Sequence, residues 1–143
     1  MTIESICRQD VDLVDADETA QVAAHRMHSR NAGSLLVLDA ERRPIGIITD
    51  RDLATHVVGR GLNPADVYVR EVMSPNPITT TLGSSVAKAI SLMRSIGVRR
   101  LPVVDDDGTL AGVVTLDDIL LEMAGEFEQL RSLLSHRSSQ PDD

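Results

Sequence analysis

An internal repeat constrains the fold of this chain more than any other feature of its sequence. Met27 recurs as Met93, which fixes an offset of 66 residues, the difference between the two positions. At that offset, and without a gap, residues 46–52 (GIITDRD) align with residues 112–118 (GVVTLDD). A duplication of this kind predicts two units of one topology, related by a pseudo-twofold axis. The interface between the two copies is then a place where a ligand can bind.

Both copies show the same order of predicted elements. An extended segment comes first, and apolar residues at helical spacing follow it around Met27 and Met93. In each copy, two apolar runs joined by a polar loop are typical of buried strands. A second helix is then predicted to begin at Thr49 or Thr115. The extended segments are 11–14 and 78–81, and the strand runs are 35–38, 45–48, 101–104 and 110–114. The sequence therefore predicts an α/β (α+β) fold of two β-α-β-β-α units.

The domain organisation follows from the repeat. We expect repeat one at residues 3–60, a connector at 61–68, repeat two at 69–128, and a helix end with a tail at 129–143. A copy of about 50 to 60 residues buries too little surface to be stable alone, so we expect both copies to share one core. Apolar residues at helical spacing as far as Leu134 predict a long last helix, and the polar stretch 136–143 is predicted to be disordered.

Composition excludes several classes of function. The net charge is −8, and the aromatic residues are Tyr68 and Phe127, so neither a phosphate-backbone interface nor a base-stacking platform is expected. No apolar run approaches the roughly 18 residues of a membrane span. The single cysteine, Cys7, suits a reducing compartment, and the N-terminus lacks the pattern of a signal peptide. We therefore expect a cytoplasmic protein that binds neither nucleic acid nor membrane.

Catalytic and metal-binding residues are not evident in the sequence. His25 and His28 are three residues apart, but no cysteine or acid completes a ligand set. Cys7 aligns with Met73, which favours a packed apolar side chain over a reactive thiol. No nucleophile and base stand in a recognisable pair. We expect no enzyme, no metal and no catalytic cofactor.

Four motifs, in order and in duplicate, identify a family resemblance. They are Gly-x-x-Thr-x-x-Asp at 46–52 and again at 112–118, VREVM at 69–73, and VRRLPV at 98–103. The chain resembles a tandem pair of cystathionine β-synthase (CBS) domains, also called a Bateman module, over about residues 3–125. The resemblance implies that an adenosyl ligand (AMP, ADP, ATP, NAD or S-adenosylmethionine) is sensed in the cleft between the copies. It also implies a homodimer and, for a pair without an attached effector domain, a separate effector protein whose identity is unknown.

The aspartate and threonine residues of the Gly-x-x-Thr-x-x-Asp motifs have side chains that suit such a site. A carboxylate accepts two hydrogen bonds well, so Asp52 and Asp118 suit the vicinal hydroxyls of a ribose. Thr49 and Thr115 stand at a helix N-terminus, where backbone N–H groups favour anions. Thr-x-x-Asp is also close to a helix capping box, and capping alone explains both residues without any ligand. A ligand-independent interaction or dimerisation module is therefore the alternative interpretation.

The resemblance implies composite sites, in which the Thr/Asp segment of one copy faces the first strand of the other. We expect Asp52 to be the tighter site, because arginines of copy two would lie near its phosphate, whereas Asp118 would face less charge. The Asp52 site comprises Gly46, Ile48, Thr49, Asp52, Ile78, Thr79 and Val98, with Arg99 or Arg100 near the phosphate. The Asp118 site comprises Leu13, Val14, Gly112, Val114, Thr115 and Asp118.

Overall fold

Each copy forms its own small sheet, and helices cover one side of it. A computed structural model of the chain describes residues 1–139. The elements of copy one are β1 (Leu13–Asp15), α1 (Ala20–Arg30), β2 (Ser34–Leu38), β3 (Pro44–Thr49) and α2 (Asp50–Leu53). A connecting part contains α3 (Val69–Val72) and β4 (Ser74–Pro75). The elements of copy two are β5 (Thr80–Thr81), α4 (Val86–Ile96), β6 (Arg100–Val104), β7 (Leu110–Thr115) and α5 (Leu116–Ser139). The predicted β-α-β-β-α order is confirmed in both copies.

The two sheets share one strand pattern. In copy one, β1 is parallel to β2, and β2 is antiparallel to β3. In copy two, β5 is parallel to β6, and β6 is antiparallel to β7. Helices α1 and α4 each begin after a capping residue: the Thr19 hydroxyl accepts a hydrogen bond from the N–H of Val22, and the Ser85 hydroxyl accepts one from the N–H of Lys88.

The short segment that leads into each copy packs on the opposite copy. We call residues 2–12 leader one and residues 69–79 leader two. Leader two adds β4 antiparallel to β3 of copy one, and Arg8 of leader one forms a β-bridge with Val113 in β7 of copy two. Leader two also contributes Val69 and Val72 to the core of copy one. The copies are therefore joined by two reciprocal crossings of the chain.

The expectation of one shared core is wrong, because the buried side chains form a cluster around each sheet. One cluster combines copy one with side chains of the connector and leader two, and the other combines copy two with Ile3 of leader one. Ile3 is fully buried there. The copies are instead connected by the exchanged leaders. Each leader adds apolar side chains to the core of the opposite copy, which would otherwise bury too little surface to be stable.

The copies differ most after their Thr-x-x-Asp motifs. In copy one, α2 passes into a π-helical turn at Ala54–Val58, and the chain leaves the helix at Gly59. In copy two, α5 continues for 24 residues. In the structure α5 extends through residues 136–139, which are part of the stretch that the sequence predicts to be disordered. The rest of the predicted tail, 140–143, lies outside the described residues.

Candidate functional site

Two glycines let the leaders lie directly against the strands that precede the Thr-x-x-Asp motifs. A Cβ at Gly46 would stand 2.9 Å from the carbonyl oxygen of Ser74 in leader two. A Cβ at Gly112 would stand 2.5 Å from the Sγ of Cys7 and closer still to the carbonyl oxygen of Arg8 in leader one. Any larger residue would push the leader away, so these glycines allow the leader of one copy to lie against the strand before the Thr-x-x-Asp motif of the other copy.

The first motif forms a complete capping box. The Thr49 hydroxyl accepts a hydrogen bond from the N–H of Asp52 at 3.1 Å, and Asp52 Oδ2 accepts one from the N–H of Thr49 at 2.9 Å. The other carboxylate oxygen of Asp52 lies 4.0 Å from Nε2 of His56. The Asp52 side chain is 17% exposed, so part of it remains open to a ligand. Capping therefore uses one oxygen and leaves Oδ1 available.

The second motif has a different arrangement of hydrogen bonds. The Thr115 hydroxyl donates to Asp118 Oδ2 at 2.8 Å and accepts from the N–H of Asp118 at 3.1 Å. Asp118 Oδ1 forms an ion pair with Nη2 of Arg8 at 2.8 Å. The expectation of less charge at Asp118 is therefore wrong, because leader one brings a guanidinium to this carboxylate.

The predicted site residues outside the Thr-x-x-Asp motifs differ in how exposed their side chains are. Ile78 and Thr79 continue leader two beyond β4, with Ile78 exposed and Thr79 half-buried. Leu13 and Gly112 line the same cleft, so these two residues of the Asp118 set are brought together. The side chains of Val14, Ile48 and Val114 are buried in the two cores, so each can offer a ligand only its backbone.

The arginines of copy two occupy two different clefts. Val98 and Arg99 line one beside α4 and Leu116 of their own copy. Arg100 lines a cleft between the two sheets, which Asp10 and Asp12 of leader one also line. Neither Asp52 nor Asp118 lines either cleft. The structure therefore separates Arg99 from Arg100, and of the two only Arg100 faces copy one.

Leader one carries charges that the sequence analysis did not single out. Arg30 of α1 forms ion pairs with both Asp10 and Asp12, and Arg8 pairs with Asp118. The pattern that could have revealed Arg8 is the repeat itself, because the offset aligns Arg8 with Ser74 and so marks a difference between the leaders. Nothing in the local sequence shows that Arg8 crosses to copy two.

Cys7 behaves as a packed side chain. Its Sγ lies close to the backbone at Gly112, and burial raises the pKa of the thiol above its ordinary value. A raised pKa keeps the sulfur protonated and unreactive at neutral pH.

Within residues 1–139, no three His, Cys, Asp or Glu side chains are grouped closely enough to hold a metal ion. Over the same range, no helix combines the length and the apolar character needed to cross a membrane.

Two copies of one β-α-β-β-α unit, each packed against the other's leader, define a tandem-repeat fold. The sequence model of the CBS domain matches residues 3–59 and again 69–125. The chain belongs to the CBS-domain family, as the motifs predicted.

The chain is also similar to individual proteins. An uncharacterized protein of Methanopyrus kandleri is 42% identical over 120 residues, which are 84% of this chain and 61% of that protein. This chain thus spans less than two thirds of that relative. The solved structure of Hypoxic Response Protein I with two coordinated zinc ions has a TM-score of 0.73 at 28% identity, and the match covers 84% of this chain and 97% of the other.

Two further solved structures share the fold at lower identity. A CBS domain protein from Pyrobaculum aerophilum, complexed with AMP, has a TM-score of 0.69 at 22% identity, over 87% of this chain and 99% of that one. A CBS domain pair in complex with 5′-methylthioadenosine and S-adenosyl-L-methionine has a TM-score of 0.70 at 24% identity, over 88% and 98%. At these identities the likeness establishes the fold.

Proposed function

We propose that the protein is a regulatory module that binds an adenosyl nucleotide at the composite sites between its copies. The observation that carries the proposal is the arrangement around Asp52 and Asp118. Each carboxylate stands at a helix start, beside a glycine strand on which the leader of the other copy lies. Asp52 and Asp118 accept the ribose hydroxyls, and the backbone around Thr49 and Thr115 approaches the nucleoside. AMP, ADP and ATP are the preferred ligands, with NAD and S-adenosylmethionine as related candidates.

Support for an adenosyl ligand comes from chemistry and from the fold. The Asp52 carboxylate keeps an oxygen that the capping box does not use. Proteins of the same fold hold AMP, or methylthioadenosine and S-adenosylmethionine. The candidate residues are those of the two composite sets given above, with Arg100 as the cation of copy two that faces copy one.

Binding of the ligand changes the relative position of the two copies. Each site combines residues of both copies, so a ligand stabilises the arrangement in which leader and strand lie together. We propose that a homodimer transmits this change to a separate effector protein, without catalysis. The reducing cytoplasm suits Cys7 as a free thiol.

A thermal-shift screen with adenosyl ligands tests the proposal. A ligand at 100 times its Kd stabilises the folded protein by about 2.7 kcal/mol. We expect at least one of AMP, ADP, ATP, NAD or S-adenosylmethionine to raise the melting temperature. Guanosine monophosphate at equal concentration is the control for the identity of the nucleobase. No shift with any adenosyl ligand contradicts the proposal.

A ligand-independent interaction module is the second candidate. The complete capping box at Thr49 and Asp52 favours it, since capping gives both residues a structural role without a ligand. The exposed apolar side chains of α5 favour it as well, because such a face suits a partner. It predicts a stable protein complex and no thermal shift with the adenosyl panel.

A further inference from the structure

A cation stands at the second Thr-x-x-Asp motif that has no counterpart at the first. Nη2 of Arg8 lies 2.8 Å from Asp118 Oδ1. The aligned residue of leader two is Ser74, so the leader that pairs with β3 of copy one carries no arginine at this position. The two sites therefore differ in charge at an aligned position of their leaders.

The backbone of Arg8 is fixed, but most of its guanidinium is free. The N–H of Arg8 donates to the carbonyl of Val113 at 2.9 Å, and the N–H of Val113 donates to the carbonyl of Arg8 at 2.8 Å. The side chain is 62% exposed, and a guanidinium has five N–H donors, of which the ion pair with Asp118 uses one. The remaining donors can bind an anion without breaking that pair.

Asp118 also keeps capacity for a ligand. Arg8 and Thr115 each contact one of its oxygens, whereas a carboxylate offers about four lone-pair sites. A ribose hydroxyl can therefore donate to Asp118 while Arg8 stays in place. A nucleotide carries its phosphate on the 5′ carbon of the same ribose, and a guanidinium beside Asp118 suits that phosphate because its N–H donors match phosphate oxygens well.

We propose that Arg8 binds the phosphate of a ligand held at Asp118, so that this site selects phosphorylated nucleosides over uncharged adenosyl compounds. The inference rests on the proposed function of Asp118 as the ribose acceptor. It assigns the second site to the nucleotide class and makes Arg8 its specificity residue.

Calorimetric titration with AMP and with adenosine tests the assignment. The titrations use the wild-type chain and the Asp52→Asn background, which keeps an oxygen for the cap and leaves Asp118 as the intact carboxylate. Arg8→Gln keeps a donor for Asp118 but removes the charge, Arg8→Lys restores the charge, and Ser74→Ala is the matched control in leader two. We expect Arg8→Gln to weaken AMP binding by about 10- to 150-fold and adenosine binding by less than about threefold. Arg8→Lys recovers most of the AMP affinity, and Ser74→Ala leaves it unchanged.

Several outcomes overturn the assignment. If Arg8→Gln weakens AMP and adenosine equally, Arg8 only positions Asp118 or its leader. If it strengthens AMP binding, Arg8 competes with the ligand for Asp118. If the Asp52→Asn background binds no AMP while the wild-type chain does, the second site is not a nucleotide site, and the proposed function survives at Asp52. If the wild-type chain binds neither compound, the proposed function itself is wrong and the role of Arg8 falls with it.

Discussion

At the scale of the residue, Thr80 shows how the two copies have diverged. Thr80 is 4% exposed, and its hydroxyl has no hydrogen-bond partner within the described part of the chain. The aligned residue of copy one is Val14, which packs in an apolar core. A buried hydroxyl without a partner lowers the stability of the folded protein, because its hydrogen bonds to water are lost and not replaced.

Thr80→Val is therefore expected to stabilise the protein. Removing the unpaired hydroxyl raises the free energy of unfolding by about 1–3 kcal/mol, as measured by urea denaturation. The reciprocal change Val14→Thr lowers it by a similar amount and serves as the control. A loss of stability in Thr80→Val would show that the hydroxyl has a partner that compensates for its burial.

Gly112→Ala tests the close approach of leader one. The added Cβ would meet the carbonyl oxygen of Arg8, so the leader must move, at an expected cost of about 1–3 kcal/mol of unfolding free energy. Gly125→Ala is the matched control, since its Cβ meets nothing within 4 Å and alanine favours a helix by about 1 kcal/mol over glycine. Equal stability of the two variants, measured by thermal denaturation, would contradict the packing described.

Residue roles were harder to predict than residue types. The motifs identified Thr49, Asp52, Thr115 and Asp118 and left capping and binding open, because the same hydroxyl and carboxylate serve both purposes. Arg8 was missed because its partner is 110 positions away in the chain, the difference between positions 118 and 8, and no local pattern encodes such a pair.

At the scale of the element, strands and helices followed their sequence signals closely. Apolar residues at helical spacing predicted α1 and α4, and short apolar runs predicted the central strands of both sheets. The leaders were not predicted to change sides, because segments of a few residues carry no period that specifies which sheet they join. Contacts with the opposite copy decide it: the packing of Ile3 and Val69, the pairing of β4 with β3, and the bridge from Arg8 to Val113.

The exchange of leaders predicts that copy two depends on residues at the N-terminus. Ile3→Ala removes a fully buried side chain from the core of copy two and should lower the free energy of unfolding by about 2–5 kcal/mol. Hydrogen exchange should then rise first in β6 and β7. Leu62→Ala, at a 41% exposed connector position, is the control and should change stability by less than about 0.5 kcal/mol. Faster exchange in β2 and β3 instead would show that Ile3 packs in the core of copy one, which contradicts the structure.

At the scale of the whole molecule, most of the exposed large apolar side chains belong to copy two. Along α5 the large apolar side chains that are exposed are Leu120, Leu121, Met123, Phe127, Leu130, Leu133 and Leu134. On α4, Ile90 and Ile96 are exposed too. A surface of this kind favours association, which suits the proposed homodimer.

Replacing apolar residues of α5 tests that association. We expect light scattering at micromolar concentration to give a dimer for the wild-type chain, and a monomer for the double variant Phe127→Asp, Leu130→Asp, which places charges in the apolar face. Glu126→Ala, on the same helix, should leave the dimer intact. A wild-type monomer, or a double variant that stays dimeric, would contradict dimerisation through α5.

Calorimetric titration of AMP into Asp52→Asn and Asp118→Asn tests the central claim most directly. Asparagine keeps a side-chain oxygen at each helix start, so the test separates ligand binding from capping once melting without ligand is shown to be unchanged. If the carboxylates hold the ribose, each substitution weakens one binding event by about 10-fold or more and leaves the other in place. Binding that neither substitution alters, or a wild-type chain that binds no AMP or other adenosyl ligand, would contradict the account and leave Asp52 and Asp118 as helix caps.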